Sequence, residues 1–125
     1  MPRILAVEDE KDQLKMLEDF FKGEGWDFTG AATGAKALKE AASARPDVIL
    51  LDVNLPDING FELCRTIKEN PATSGIPVAL ISGDVRDKER IMKGLGMGSA
   101  IYLLKPVDLD VLKAKLEAVL RMGKP

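Results

Sequence analysis

The chain has no histidine among its 125 residues. That removes the usual general base and the commonest transition-metal ligand, since imidazole is the side chain whose ordinary pKa lies nearest neutrality. One cysteine, Cys64, is present. An internal disulfide and a thiolate metal cluster are both excluded, and reduced surroundings in the cytoplasm follow as the expected address. Nothing approaches the roughly 20 consecutive apolar residues of a membrane span, and the N-terminus reads as a strand rather than a signal peptide. No basic excess exists either: 18 Lys and Arg stand against 20 Asp and Glu, for a net charge of −2. Direct contact with nucleic acid or with an anionic membrane surface is therefore not expected. Phosphate-cradling motifs are missing too. The run Gly94-Leu95-Gly96-Met97-Gly98 lacks GxGxxG spacing, no GxxxxGK[ST] occurs, and Pro56 stands where a calcium loop beginning at Asp52 would need an oxygen.

What is present is a full core. The hydrophobic content is 46%, and a domain of this length buries roughly two-thirds of its unfolded surface. Apolar runs alternate with helix-period segments five times along the chain. Strands are predicted at 3–7, 26–31, 47–51, 77–81 and 100–104, and helices at 10–22, 34–44, 58–70, 86–95 and 108–121. Leu14, Leu17, Phe20 and Phe21 line the first helix, which Gly23 and Gly25 end. Asp108 is the expected N-cap of the last. The third should stop at Pro71, because the residue before a proline is pushed out of the α region. Such alternation predicts an α/β fold: a five-stranded parallel doubly wound sheet in the flavodoxin-like order 2-1-3-4-5, with helices on both faces. Residues 1–125 read as a single domain, with 123–125 a terminus or the start of a linker.

Chemistry collects at the predicted strand ends. The first apolar run ends in Glu8-Asp9, the third in Asp52, the fourth in Ser82 and the fifth in Lys105-Pro106. The predicted order has its switch point between strands 1 and 3, where open α/β sheets bind ligands, so Glu8 and Asp9 should lie beside Asp52. Three acids, a hydroxyl and an ammonium at one sheet edge suit a divalent cation and a phosphoryl group. Taken singly, each has a plainer reading. Glu8-Asp9-Glu10 could be an acidic first helical turn, Asp52 a turn or cap aspartate, Ser82 a turn serine, Lys105 a solvated lysine and Tyr102 ordinary packing.

Together these residues resemble the receiver domain of two-component response regulators. The likeness rests on the acid pair after strand 1, on Asp52 with Asn54, Pro56 and Gly60 downstream, on Ser82, and on Tyr102 three residues before Lys105-Pro106. It implies that Asp52 is the phosphoacceptor and that Mg²⁺ is the cofactor. The ion would be held by Asp9, Asp52 and the backbone carbonyl of Asn54, with Glu8 acting through water. Lys105 would face the phosphoryl oxygens, aimed by a cis Lys105–Pro106 peptide. Ser82 and Tyr102 would form the switch. The implied phosphodonor is a sensor histidine kinase or a phosphotransfer protein, which must bring the histidine this chain lacks. The implied output is a downstream effector at the surface formed by predicted helix 86–95, strand 100–104 and helix 108–121. No reaction is catalysed beyond phosphorylation and dephosphorylation of Asp52 itself. Two departures bear on switching: Gly83 follows Ser82 where alanine is common in such domains, and Gly98-Ser99 replaces the more usual Gly-Ala. A haloacid-dehalogenase-type phosphatase also uses an aspartyl nucleophile and Mg²⁺, but it carries a second aspartate where this chain has Asn54. A receiver-like module that is never phosphorylated is the remaining alternative.

Overall fold

A computed structural model describes residues 1–84, 86 and 101–122. The strands are β1 (Arg3–Val7), β2 (Asp27–Ala31), β3 (Val48–Asp52), β4 (Val78–Ser82) and β5 (Ile101–Leu104); the helices are α1 (Lys11–Gly23), α2 (Gly34–Ser43), α3 (Gly60–Glu69) and α4 (Leu109–Met122). All described strand pairs are parallel, and the sheet runs β2-β1-β3-β4-β5. Apart from Arg86, the predicted helix 86–95 lies outside the described residues, as do Ala100, Gly98-Ser99, the glycine run 94–98 and residues 123–125.

Period-2 alternation divides the core into two layers. Leu5, Val7, Ile49, Leu51, Val78 and Leu80 point to one face, where Ala37 and Ala41 of α2 and Leu63 and Ile67 of α3 cover them. Ile4, Val48, Leu50, Ala79, Ile81 and Leu103 point to the other, beneath Phe21 of α1 and Leu112, Leu116 and Val119 of α4. Burial on both faces explains why β3, β4 and the part of β1 after Arg3 read as nearly unbroken apolar runs rather than as alternating ones.

β1 runs as the sequence reading has it; the other described elements differ at one or both ends by one or two residues. Asp52 and Ser82 are the last residues of their strands, because the ladder continues through Asp52–Ile81 and Ser82–Leu104 pairs. Trp26 precedes β2 instead of opening it. Its amide donates to the Phe21 carbonyl at 3.0 Å and its ring lies 4.9 Å from that of Phe21. Glu10, extended at φ −80 and ψ 117, stands outside α1. The third helix starts at Gly60 because Asn59 caps it, its Oδ1 accepting from the Phe61 amide at 2.8 Å. It ends before Asn70, whose ψ of 119 is the extended value that Pro71 requires. Asp108 caps α4 as expected, its Oδ1 accepting from the Asp110 and Val111 amides.

Gly60 is fixed by space. A Cβ there would lie 2.5 Å from Val53 Cα and 2.6 Å from the Asp52 carbonyl oxygen, both backbone atoms that cannot step aside. Gly75 has nothing within 4 Å of the same added atom. Gly60→Ala is therefore expected to destabilise the fold by roughly 1–3 kcal/mol, the usual range for overpacking, whereas Gly75→Ala should stay within about 0.5 kcal/mol of the parent. Urea midpoints for the two variants check this, and equal midpoints would show that the β3–α3 junction is not tightly closed.

Candidate functional site

Topology brings the strand ends together before any side chain is considered. Val7 pairs with Leu51 and Asp52 with Ile81. The Glu8 amide extends the ladder by donating to the Ala31 carbonyl at 2.9 Å, and the Lys105 amide does the same to the Ser82 carbonyl at 2.8 Å. Glu8 and Asp52 are each only 4% exposed, while Asp9 is exposed. Two carboxylates buried side by side need a countercharge. Lys105 supplies it. Its ammonium donates to Asp52 Oδ2 at 2.7 Å and to Glu8 Oε1 at 2.8 Å, and the Lys105–Pro106 peptide that precedes α4 is cis. The other Asp52 oxygen, Oδ1, accepts from the Asn54 amide at 2.8 Å.

The electrostatic tension shows at Glu8. Burial pushes its carboxyl up to about 7; the Lys105 hydrogen bond opposes this, and the neighbouring Asp52 charge adds to it. Burial alone would depress the Lys105 ammonium, but the hydrogen bonds to Asp52 and Glu8 outweigh it and hold Lys105 above its ordinary value.

Asp52 stands between two clefts. With Glu8 and Lys105 it opens onto a space of about 400 Å³ between α1 and α4, walled by apolar groups that include Met16, Leu17 and Leu109. Asp9 and Asn54 line the second cleft, on the side of the β3–α3 loop. One carboxylate oxygen from each of Glu8, Asp9 and Asp52 can be chosen so that all three lie within 4.8 Å of one another. Such an all-oxygen set suits a hard divalent cation of the Mg²⁺ type and not a thiolate- or imidazole-seeking metal.

Ser82 is fully buried and continues the register of Val78 and Leu80, so it approaches the strand-end region from the α2–α3 face. Its Oγ accepts from the Asp84 amide at 3.0 Å. Tyr102 is half-buried against the same face, and its hydroxyl donates to the Asp84 carbonyl at 3.4 Å. The hydroxyl residue and the aromatic residue thus meet on one short segment. Two features escaped the sequence reading. One is that Lys105 spans both buried acids. The other is Asp57, whose carboxylate accepts from the Gly34 and Ala35 amides at the start of α2. A partner 23 residues away leaves no mark in local sequence.

With this geometry in view, relationship to known proteins is clear. Residues 4–117 match the response regulator receiver domain family, and the chain belongs to it. It is 39% identical over 119 residues to the response regulator PleD of Caulobacter vibrioides, covering 95% of this chain and 26% of that protein. It is 39% identical over 124 residues to the transcriptional regulatory protein AfsQ1 of Streptomyces coelicolor, covering 99% of this chain and 53% of that protein. The chain thus spans about half or less of the length of these curated relatives. Among solved structures, a sensor protein from Polaromonas sp. JS666 superposes with a TM-score of 0.90 at 26% identity, covering 98% of each chain. A CheY-like receiver domain protein from Methanospirillum hungatei JF-1 gives 0.88 at 25% identity, covering 98% of this chain and 96% of the other.

The Glu8 environment has a measurable consequence. Its pKa rises from the ordinary 4.5 to about 7 in the folded state. Between those values the folded protein keeps a proton that the unfolded chain has released, so this group's contribution to stability falls as pH rises through that window and is level above it. Metal-free protein is expected to lose on the order of 3 kcal/mol from this source. Glu8→Gln should flatten the slope. Urea denaturation in chelator between pH 4.5 and 8 measures it, and identical slopes in the two proteins would rule out Glu8 as the origin.

Proposed function

We propose that this domain accepts a phosphoryl group on Asp52 from a partner phosphohistidine, or from a small phosphodonor, and thereby switches a protein-interaction surface. The observation that carries the reading is the buried Asp52 carboxylate at a strand end, with the Lys105 ammonium 2.7 Å away and Asp9 within metal-sharing reach. In transfer, one Asp52 oxygen forms the new P–O bond while the P–N bond to the donor imidazole breaks, its electron pair leaving on the ring nitrogen. Lys105 exchanges its bond to Asp52 for one to the phosphoryl oxygens, and the Asn54 amide keeps the carboxyl oriented. Mg²⁺, bound by Asp9, Asp52 and the Asn54 carbonyl with Glu8 through water, would neutralise charge on the transferring group. Hydrolysis of the acyl phosphate then returns the carboxylate and inorganic phosphate. The chain acts on no other substrate.

The output follows from the Ser82–Asp84–Tyr102 segment. A phosphoryl oxygen at Asp52 draws the Ser82 hydroxyl toward it, because a charge-assisted hydrogen bond is roughly twice as strong as a neutral one. That motion disturbs the Asp84 backbone on which Tyr102 rests, and so changes the surface around β5 and α4. A sensor histidine kinase or phosphotransfer protein as donor, a downstream effector protein or domain at that face and a cytoplasmic setting complete the reading. Among the described residues no helix is long and apolar enough to cross a membrane.

Acetyl phosphate with Mg²⁺ is expected to add one phosphate to the wild-type mass and none to Asp52→Asn. Lys105→Ala should keep the acceptor but slow its labelling by roughly 10²-fold, the scale on which one charge-stabilising donor acts. Labelling of Asp52→Asn at the parental rate would end this reading. For the switch, the readout is the Tyr102 ring chemical shift with and without beryllofluoride. Ser82→Ala should still bind the mimic yet lose most of the Tyr102 response; an undiminished response would remove Ser82 from the relay.

A further inference from the structure

The seven residues between β3 and α3, 53–59, are tied at both ends of the loop they form. At the base, the Gly60 amide donates to the Val53 carbonyl at 2.8 Å, and Asn54 and Asn59 form an isolated antiparallel bridge. At the tip, Asp57 reaches across to α2. Its Oδ1 accepts from the Gly34 amide at 2.8 Å and its Oδ2 from the Ala35 amide at 3.1 Å. A helix start leaves its first amides without intrahelical partners, and here two of them are satisfied by this distant carboxylate. Thr33, the helix's own cap, takes the Lys36 amide through Oγ1 at 3.2 Å. The fit is close. A Cβ on Gly34 would run into the Ile58 Cγ2 methyl, so a larger residue there would push the Ile58 side chain out of the place where the loop tip lies on the helix.

We propose that Asp57 is a positioning residue for the Asn54 carbonyl: by tying the loop tip to α2 it sets the affinity of the site for its divalent cation. The inference rests on the reading above, in which that carbonyl is a ligand. Asn54 is held at its amide by Asp52, at its bridge by Asn59, and, through a short loop with little slack, by the Asp57 tether. Both amide contacts also favour the ionised carboxylate, so the Gly34 amide holds the Asp57 carboxyl below its ordinary value. The tether persists wherever the carboxylate remains ionised. Releasing it leaves the base of the loop closed but lets the segment from Leu55 to Ile58 move, and Asn54 at its root with it.

The test compares Asp57→Ala, Asp57→Asn and Thr33→Ala in Mg²⁺ calorimetry, with amide hydrogen exchange at Gly34 and Ala35. Thr33→Ala removes a cap from the same helix without touching the loop, and so reports what general weakening of α2 does. Asp57→Ala is expected to raise the Mg²⁺ dissociation constant roughly tenfold, the lower end of what groups behind a metal ligand contribute, and to speed exchange at both amides. Asp57→Asn, which keeps one acceptor oxygen, should fall between it and wild type. Thr33→Ala should bind Mg²⁺ as wild type does. Unchanged affinity in Asp57→Ala, or equal losses in Asp57→Ala and Thr33→Ala, overturns the positioning role while the phosphoacceptor reading stands. A wild-type protein that takes up no Mg²⁺ overturns the underlying reading itself, even with both amides protected.

Discussion

The Lys105 ammonium, shared between Glu8 and Asp52, is the contact on which the site depends. A parallel sheet with helices on both faces buries its strand ends along with its strands, so a carboxylate placed there loses water it cannot easily replace. Two such groups side by side add repulsion to that cost. The lysine comes from the far edge of the sheet, turned inward at the start of the segment leading to α4. It converts an unstable pair of carboxylates into a hydrogen-bonded cluster that carries one negative charge in excess once Glu8 has given up its proton. That remaining charge, together with exposed Asp9, is what a divalent cation can use. The same arrangement leaves Asp52 restrained through both oxygens, by an ammonium on one side and an amide on the other.

The fold supplies the rest by dividing labour between the faces of the sheet. Side chains on the α1–α4 face bring charge to Asp52, and those on the α2–α3 face connect Ser82 to Tyr102. Among the described residues, the β3–α3 loop and the Ser82–Asp84 segment both begin at the strand ends, where the two faces meet.

Strand order, the two-layer core and the placing of Glu8 and Asp9 beside Asp52 were legible because each follows from apolar runs, their period and one topological rule; the reach of Lys105 from the edge strand to both buried acids was not, because strand order puts it only on the same rim. Element ends were less so. Asn59 could be a helix residue or its cap, and only the bond to Phe61 decides; Trp26 reads as a strand residue until its ring is seen against Phe21. The Asp57 contact was illegible for a deeper reason. Nothing near Asp57 in sequence differs from an ordinary turn, and its partners are backbone amides whose identity carries no signal. The tightness at Gly34 is likewise a property of the surface it meets.

Trp26 sits at the opening of β2, packed on Phe21, while the acids lie at the closing ends of the strands. Five residues of strand separate those edges, roughly 16 Å at the usual rise. As the chain's single tryptophan, it is an optical probe placed at the wrong end of the sheet for signalling and the right end for unfolding. Its emission will report whether the hydrophobic layer beneath α1 and α4 is intact, and stay nearly blind to what is bound at the opposite rim.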